Sequence, residues 1–109
     1  MQTILVVAAL SNQITFDAVQ QGEVYTITPQ VVLSEDCLCQ VQILATRQGE
    51  AGESRTQQRK TLSLRANQPT ALMRMSMTIS PQDHVNITVT ITDGNNLHLS
   101  QQWSPQKQS

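Results

Sequence analysis

His84-Val85-Asn86-Ile87-Thr88-Val89-Thr90-Ile91-Thr92 is the stretch that decides the fold. Val85, Ile87, Val89 and Ile91 fall on one parity, and Asn86, Thr88, Thr90 and Thr92 on the other. Successive side chains of an extended chain point to opposite sides, so the segment makes one apolar face and one hydroxyl-rich face. β-Branched residues on both faces suit a pleated strand and crowd a helix. A strand with one dry face needs a second layer to cover it.

The same alternation extends in both directions. Thr70 to Ile79 reads with Met73, Met75, Met77 and Ile79 inward and Leu72, Arg74, Ser76 and Thr78 outward. Val41 and Ile43 alternate with Gln40 and Gln42, Tyr25 and Ile27 with Val24, Thr26 and Thr28, and Leu97 and Leu99 with His98 and Ser100. Trp103 keeps the parity of Leu97 and Leu99, Ile14 and Phe16 begin a short first strand, and Leu62 and Leu64 end a polar one. Turn-forming runs separate them: Gln20-Gln21-Gly22, Ser34-Glu35-Asp36, Gly49 to Glu53, Ala66 to Pro69, Ser80 to Asp83 and Asp93 to Asn96. Asp93-Gly94 signals a hairpin between the last two strands. Seven short strands and no helical pattern predict an all-β chain, a seven-stranded immunoglobulin-like β-sandwich. The antibody-type Cys…Trp…Cys spacing and the tyrosine corner are absent, so this expectation rests on strand count and alternation. Pro29 is expected at a kink or a sheet edge, because it has no N–H to give.

At 109 residues the chain is one domain of a size that can bury a core. The apolar segment 1–10 reads as truncated or atypical signal, residues 11–104 as the sandwich and 105–109 as a polar tail. Ile4 to Leu10 has the length of a minimal signal h-region and small residues follow, but no Lys or Arg precedes it; a buried first strand is the other reading. Charged residues are scarce and neutral polar ones abundant, with 16 Gln and 12 Thr. A net charge of −1 provides no field to hold nucleic acid, and three aromatics provide no base-stacking platform. No apolar run reaches the length of a membrane span.

Enzyme signatures are missing. There is no Gly-rich phosphate loop, no G-x-S-x-G and no H-E-x-x-H. The acidic residues fall mostly in turns, and His84 and His98 take outward parity. Neither a cofactor nor a metal is expected, since the two histidines stand apart from Cys37 and Cys39. Those cysteines, spaced C-x-C, share parity with Val41 and Ile43 and should point at the core. As thiols they are small buried side chains. As a disulfide they need a local pucker, because fully extended the Cα atoms lie roughly 6.6–7 Å apart. A redox role is chemically admissible, although no His or Lys flanks the pair to lower a thiol pKa.

One charge pattern is uneven. Arg55, Gln57, Arg59, Thr61, Ser63 and Arg65 share a face of a polar strand, Lys60 projects the other way, and Arg47 precedes the connecting loop. Cations on an edge strand prevent pairing with other chains. The same strand could meet an extended acidic polypeptide by charge and backbone hydrogen bonding. Candidate contacts for such a polypeptide are therefore Arg47, Lys60, Arg55 and Arg59.

Four segments carry a family resemblance: Ala8-Ala9-Leu10-Ser11 with Gln13-Ile14-Thr15-Phe16; Cys37-Leu38-Cys39 with Val41-Gln42-Ile43-Leu44; Lys60-Thr61-Leu62-Ser63-Leu64 with Ala66-Asn67-Gln68-Pro69; and Leu97 to Trp103. In these the chain resembles the curli assembly proteins of the CsgC family of enteric bacteria, along essentially its whole length. The resemblance implies an immunoglobulin-like periplasmic monomer, not an enzyme. It would keep the major curli subunit, an unfolded amyloidogenic client, from polymerising early, with the curli secretion pore as a further partner. It carries over the C-x-C pair at Cys37 and Cys39 and, of the basic surface, only Arg47 and Lys60. Arg55, Arg59, Arg65 and Arg74 are departures or additions. The competing expectation is a thiol-disulfide redox protein, or a redox partner of the curli secretion pore, working through the C-x-C pair.

Overall fold

In the computed structural model the described residues are 12–50 and 52–105, and they contain strands and turns but no helix. The apolar segment 1–10 and the tail beyond residue 105 lie outside them. The strands are β1 (Gln13–Gln21), β2 (Val24–Val32), β3 (Cys37–Gly49), β4 (Gly52–Leu64), β5 (Thr70–Ala71), β6 (Met75–Thr78), β7 (His84–Thr92) and β8 (His98–Trp103). They form two antiparallel sheets. In the first, β2 pairs with β1 on one side and with β5 and β6 in succession on the other; the second runs β4-β3-β7-β8.

The all-β expectation holds, but the count of seven does not: the described residues form eight strands, because Thr70 to Ile79 is broken in two. Gln30 pairs with Ala71 and Ile27 with Met75. Two residues of β2 thus face three of the opposite chain, a β-bulge. Pro29 is the cause. In an antiparallel pair a residue's C=O and N–H point to the same neighbour. Pro29 accepts a hydrogen bond from the Leu72 N–H at 2.9 Å but has none to return. The bulge sits where the donor is missing. Pro29 is therefore neither at an edge nor exposed: it is fully buried in the middle strand of its sheet.

The extra residue also reverses the parity. Met73, Met75, Met77 and Ile79 turn inward as expected, but Leu72, expected outward, is buried too, at 8 % exposure. Elsewhere the alternation is obeyed. Ile14, Ile27 and Val31 from the first sheet meet Val41, Ile43, Val85, Ile87, Val89 and Ile91 from the second in one core, and Ile87, Val89 and Ile91 are wholly inaccessible.

β1 lies against β8 and closes one side of the two layers. The opposite side is less covered, since only the two short strands β5 and β6 stand there. Residues 52–61 of β4 are consequently exposed on both parities, and β4 reaches the core only through Leu62 and Leu64. Asn67, in the left-handed region at φ 58°, donates its N–H to the Leu33 oxygen at 2.6 Å, and the Ala66 N–H donates to Asp36 Oδ1 at 2.8 Å. These two bonds tie the β2–β3 and β4–β5 connections together beside the cysteines.

Candidate functional site

Cys37 and Cys39 form a disulfide at the start of β3, with Cα atoms 5.4 Å apart. The strand is locally shortened relative to full extension, as closure requires. Both side chains take the core parity of Val41. Cys39 is inaccessible, Cys37 is partly exposed, and Leu38 between them turns to solvent at 71 % exposure. The buried-thiol reading is thereby replaced by a cross-link.

The four candidate cations do not form one surface. Arg47 pairs with Ser54 across the β3–β4 hairpin on the inward parity, at the end of the molecule far from the disulfide. Its Nη2 donates to the Thr78 carbonyl of β6 at 2.7 Å and to Asp83 Oδ2 at 3.2 Å. It therefore bridges the two sheets. Asp83 is itself built in: its Oδ2 accepts the Ser80 N–H at 2.9 Å, and its own N–H donates to the Ser80 oxygen. The Ser80 N–H first, then the Arg47 hydrogen bond and charge with a smaller share from His84, hold the Asp83 carboxyl below its ordinary value of 3.8, against the opposing effect of burial. A Cβ on Gly49 would run into Asp83 Oδ1, so glycine there makes room for the carboxylate.

Lys60, opposite Val41 in register, also takes the inward parity. With Gln58, Leu62, Leu72 and Met73 it lines a small cavity over Val41 and Ile43. Its methylene stem thus covers the less protected side of the core while the ammonium stays in water.

Arg55 and Arg59 point the other way, onto the outer face of the second sheet. Register places Arg55 in a row with Thr46 and Asn86, Gln57 with Leu44, Thr88 and Gln102, and Arg59 with Gln42, Thr90 and Ser100. Two open depressions lie on this face. One, of about 550 Å³, is walled by Arg55, Glu53, Thr46, Gln48, His84 and Asn86; the other, of about 400 Å³, by Arg59, Lys60, Gln40, Gln42, Thr90 and Thr92.

The chain's relatives match this frame. A family model described as thin aggregative fimbriae synthesis protein, Tafi-CsgC, matches residues 5–103. The chain belongs to the CsgC family. It is 61 % identical over 105 residues to the curli assembly protein CsgC of Escherichia coli K12, covering 96 % of each chain. It is 60 % identical over 108 residues to that of Salmonella typhimurium LT2, covering 99 % of this chain and all of the relative. A solved structure of the E. coli curli protein CsgC superposes with a TM-score of 0.84 at 60 % identity, over 87 % of this chain and all of that one. The solution structure of R. palustris CsgH, at 16 % identity and TM-score 0.68 over 86 % of this chain and 92 % of that one, shares the fold.

Within this CsgC-family chain, sequence reasoning singled out the cysteine pair and the exposed arginines. It missed Asp83 as the partner of Arg47 and Gly49 as the residue that makes room for the carboxylate. The signal available was local only: Ser80-Pro81-Gln82-Asp83 has the form of a turn whose Asp reaches back to the Ser N–H. That this turn lands beside Arg47 is a fact of the tertiary fold. Among the described residues, no helix is long and apolar enough to cross a membrane.

Proposed function

We propose that the chain is a periplasmic curli assembly factor, a monomeric and non-enzymatic chaperone-like inhibitor of amyloid growth by the major curli subunit. The observation that carries this reading is β4. It is a border strand of 13 residues, exposed on both faces from Gly52 to Thr61, with Arg55, Arg59 and Lys60 and no large apolar side chain in that stretch. Amyloid growth adds flat strands edge to edge. A border of this kind can touch such a strand without templating the next, because its cations and the rigid layer behind it do not stack. Kinship with curli assembly proteins supplies the client class. Transient, partly electrostatic contact suits a factor that must release its client. The test is thioflavin kinetics of the curli subunit with substoichiometric protein at low salt. A lengthened lag is expected, and Arg55→Glu/Arg59→Glu shortens it again. An unchanged lag at every ratio overturns the reading.

The second reading, thiol-disulfide exchange, is favoured by the formed Cys37–Cys39 bond and the exposure of Cys37. A Cys37→Ala/Cys39→Ala protein separates the two. Full fibril delay by that variant assigns the bond to stability alone, and a three-residue loop is worth about 1.5 kcal/mol by loop-closure entropy. Lost delay with an intact fold favours the redox reading.

A further inference from the structure

The outer face of the β4-β3-β7-β8 sheet carries three charged side chains among its paired positions: Glu53, Arg55 and Arg59. Glu53 is occupied, accepting a hydrogen bond from Gln48 Nε2 at 2.9 Å. Arg55 and Arg59 make no hydrogen bond or ion pair among the described residues, in contrast to Arg47, which is spent on Thr78 and Asp83. Each free guanidinium stands at the wall of its own depression: that of Arg55 is shared with Glu53 and His84, and that of Arg59 is lined by Lys60, the amides of Gln40 and Gln42 and the hydroxyls of Thr61, Thr90 and Thr92. The row between them, Gln57, Leu44 and Thr88, is uncharged.

We infer that this face, beside the β4 border and away from Arg47, receives an extended acidic segment whose two carboxylates lie four residues apart. The inference rests on the reading above and specifies the partner's chemistry. Arg55 and Arg59 are four residues apart on one strand, which puts them on one face and roughly 13 Å apart. An extended chain with acidic residues at i and i+4 has the same spacing and the same parity. Its neutral intervening residues lie over the Gln57-Leu44-Thr88 row, where Gln and Thr side chains can satisfy its amides. Carboxylates at i and i+3 point to opposite sides and can reach one arginine only. Glu53, two residues beyond Arg55 on the same face, repels a further acid at that end.

The experiment is a titration of the ¹⁵N-labelled protein at low ionic strength with two eleven-residue peptides of the same composition, rich in Ser, Asn and Gln. One carries Glu at i and i+4, the other at i and i+3. The first is expected to bind about threefold tighter, the worth of one exposed ion pair, and to move the amides of Gln42, Thr46, Asn86 and Thr90. Arg59→Gln should abolish that difference, while Arg65→Gln should leave it intact. Equal affinity of the two peptides, or shifts confined to β4 or to the disulfide end, overturns the inference. Fibril kinetics run beside the titration keep the two ideas apart. Peptides that do not discriminate, with fibril delay intact, refute the inference and leave the inhibitor reading standing. Absent delay with clear discrimination refutes the inhibitor reading and leaves the face as an acidic-peptide site.

Discussion

Arg47 belongs by composition with the other cations of the chain. In the fold it reaches from β3 to the Thr78 carbonyl and to Asp83, so it links two sheets. A partly buried pair of this kind is expensive to half-remove, because the remaining member loses its hydrogen bonds as well as its opposite charge. Asp83→Asn is therefore expected to lower the urea midpoint at neutral pH. The carboxyl is depressed below 3.8 in the folded state. Its contribution is thus complete above that ordinary value and is lost as the pH falls through the lower folded value. Denaturation curves of the parent protein and the Asp83→Asn variant should differ at pH 7. They should converge in acid, as the pH falls below the ordinary carboxylate value and through the lower folded one. A gap that persists undiminished in acid would show that Asp83 acts by shape and not by charge.

At the scale of elements, Pro29 and the bulge opposite it govern how the first sheet is built. The missing N–H of Pro29 breaks the ladder, one residue is inserted opposite, and Leu72 joins the methionines in facing the core. This has a direct energetic consequence. An outward Leu72 would cost less than about 0.5 kcal/mol when cut to Ala. A buried one leaves a cavity and costs about 2–4 kcal/mol. Equilibrium unfolding of Leu72→Ala should show the larger value, and a change near zero would mean that the strand is continuous. The β7–β8 hairpin needed no such correction. Asp93 Oδ1 accepts the N–H groups of Asn95 and Leu97, and Gly94 takes φ 82°, which an L side chain resists. Both features are written in the local sequence, as is the inward parity of Cys37 and Cys39.

The whole molecule is asymmetric at its borders. β1 and β8 close one side, while β4 stands free on the other with Lys60 laid over the gap. A free border of 13 residues is open to pairing with other strands, and charge on such a border opposes self-pairing. Replacing Arg55, Gln57 and Arg59 together by Val supplies the β-propensity and removes the charge. That variant is expected to associate in a concentration-dependent way in sedimentation velocity, with the parent remaining monomeric. A variant that sediments like its parent would mean that the border is protected by something other than its cations.

The alternation in His84 to Thr92 by itself determined an all-β chain, because period-two burial follows from backbone geometry in any extended segment. The core-facing cysteines and the outward histidines were legible for the same local reason, and the hairpin at Asp93-Gly94 from its turn chemistry. Only the tertiary structure decided that Thr70 to Ile79 makes two strands and that Leu72 is buried. It alone decided that Arg47 and Lys60 serve the seam between the sheets while Arg55 and Arg59 face solvent. Those outcomes depend on which strand lies opposite which residue. Pro29 alters the register of a partner strand that is distant in sequence, and a cation's role is set by the carboxylate that packing brings to it.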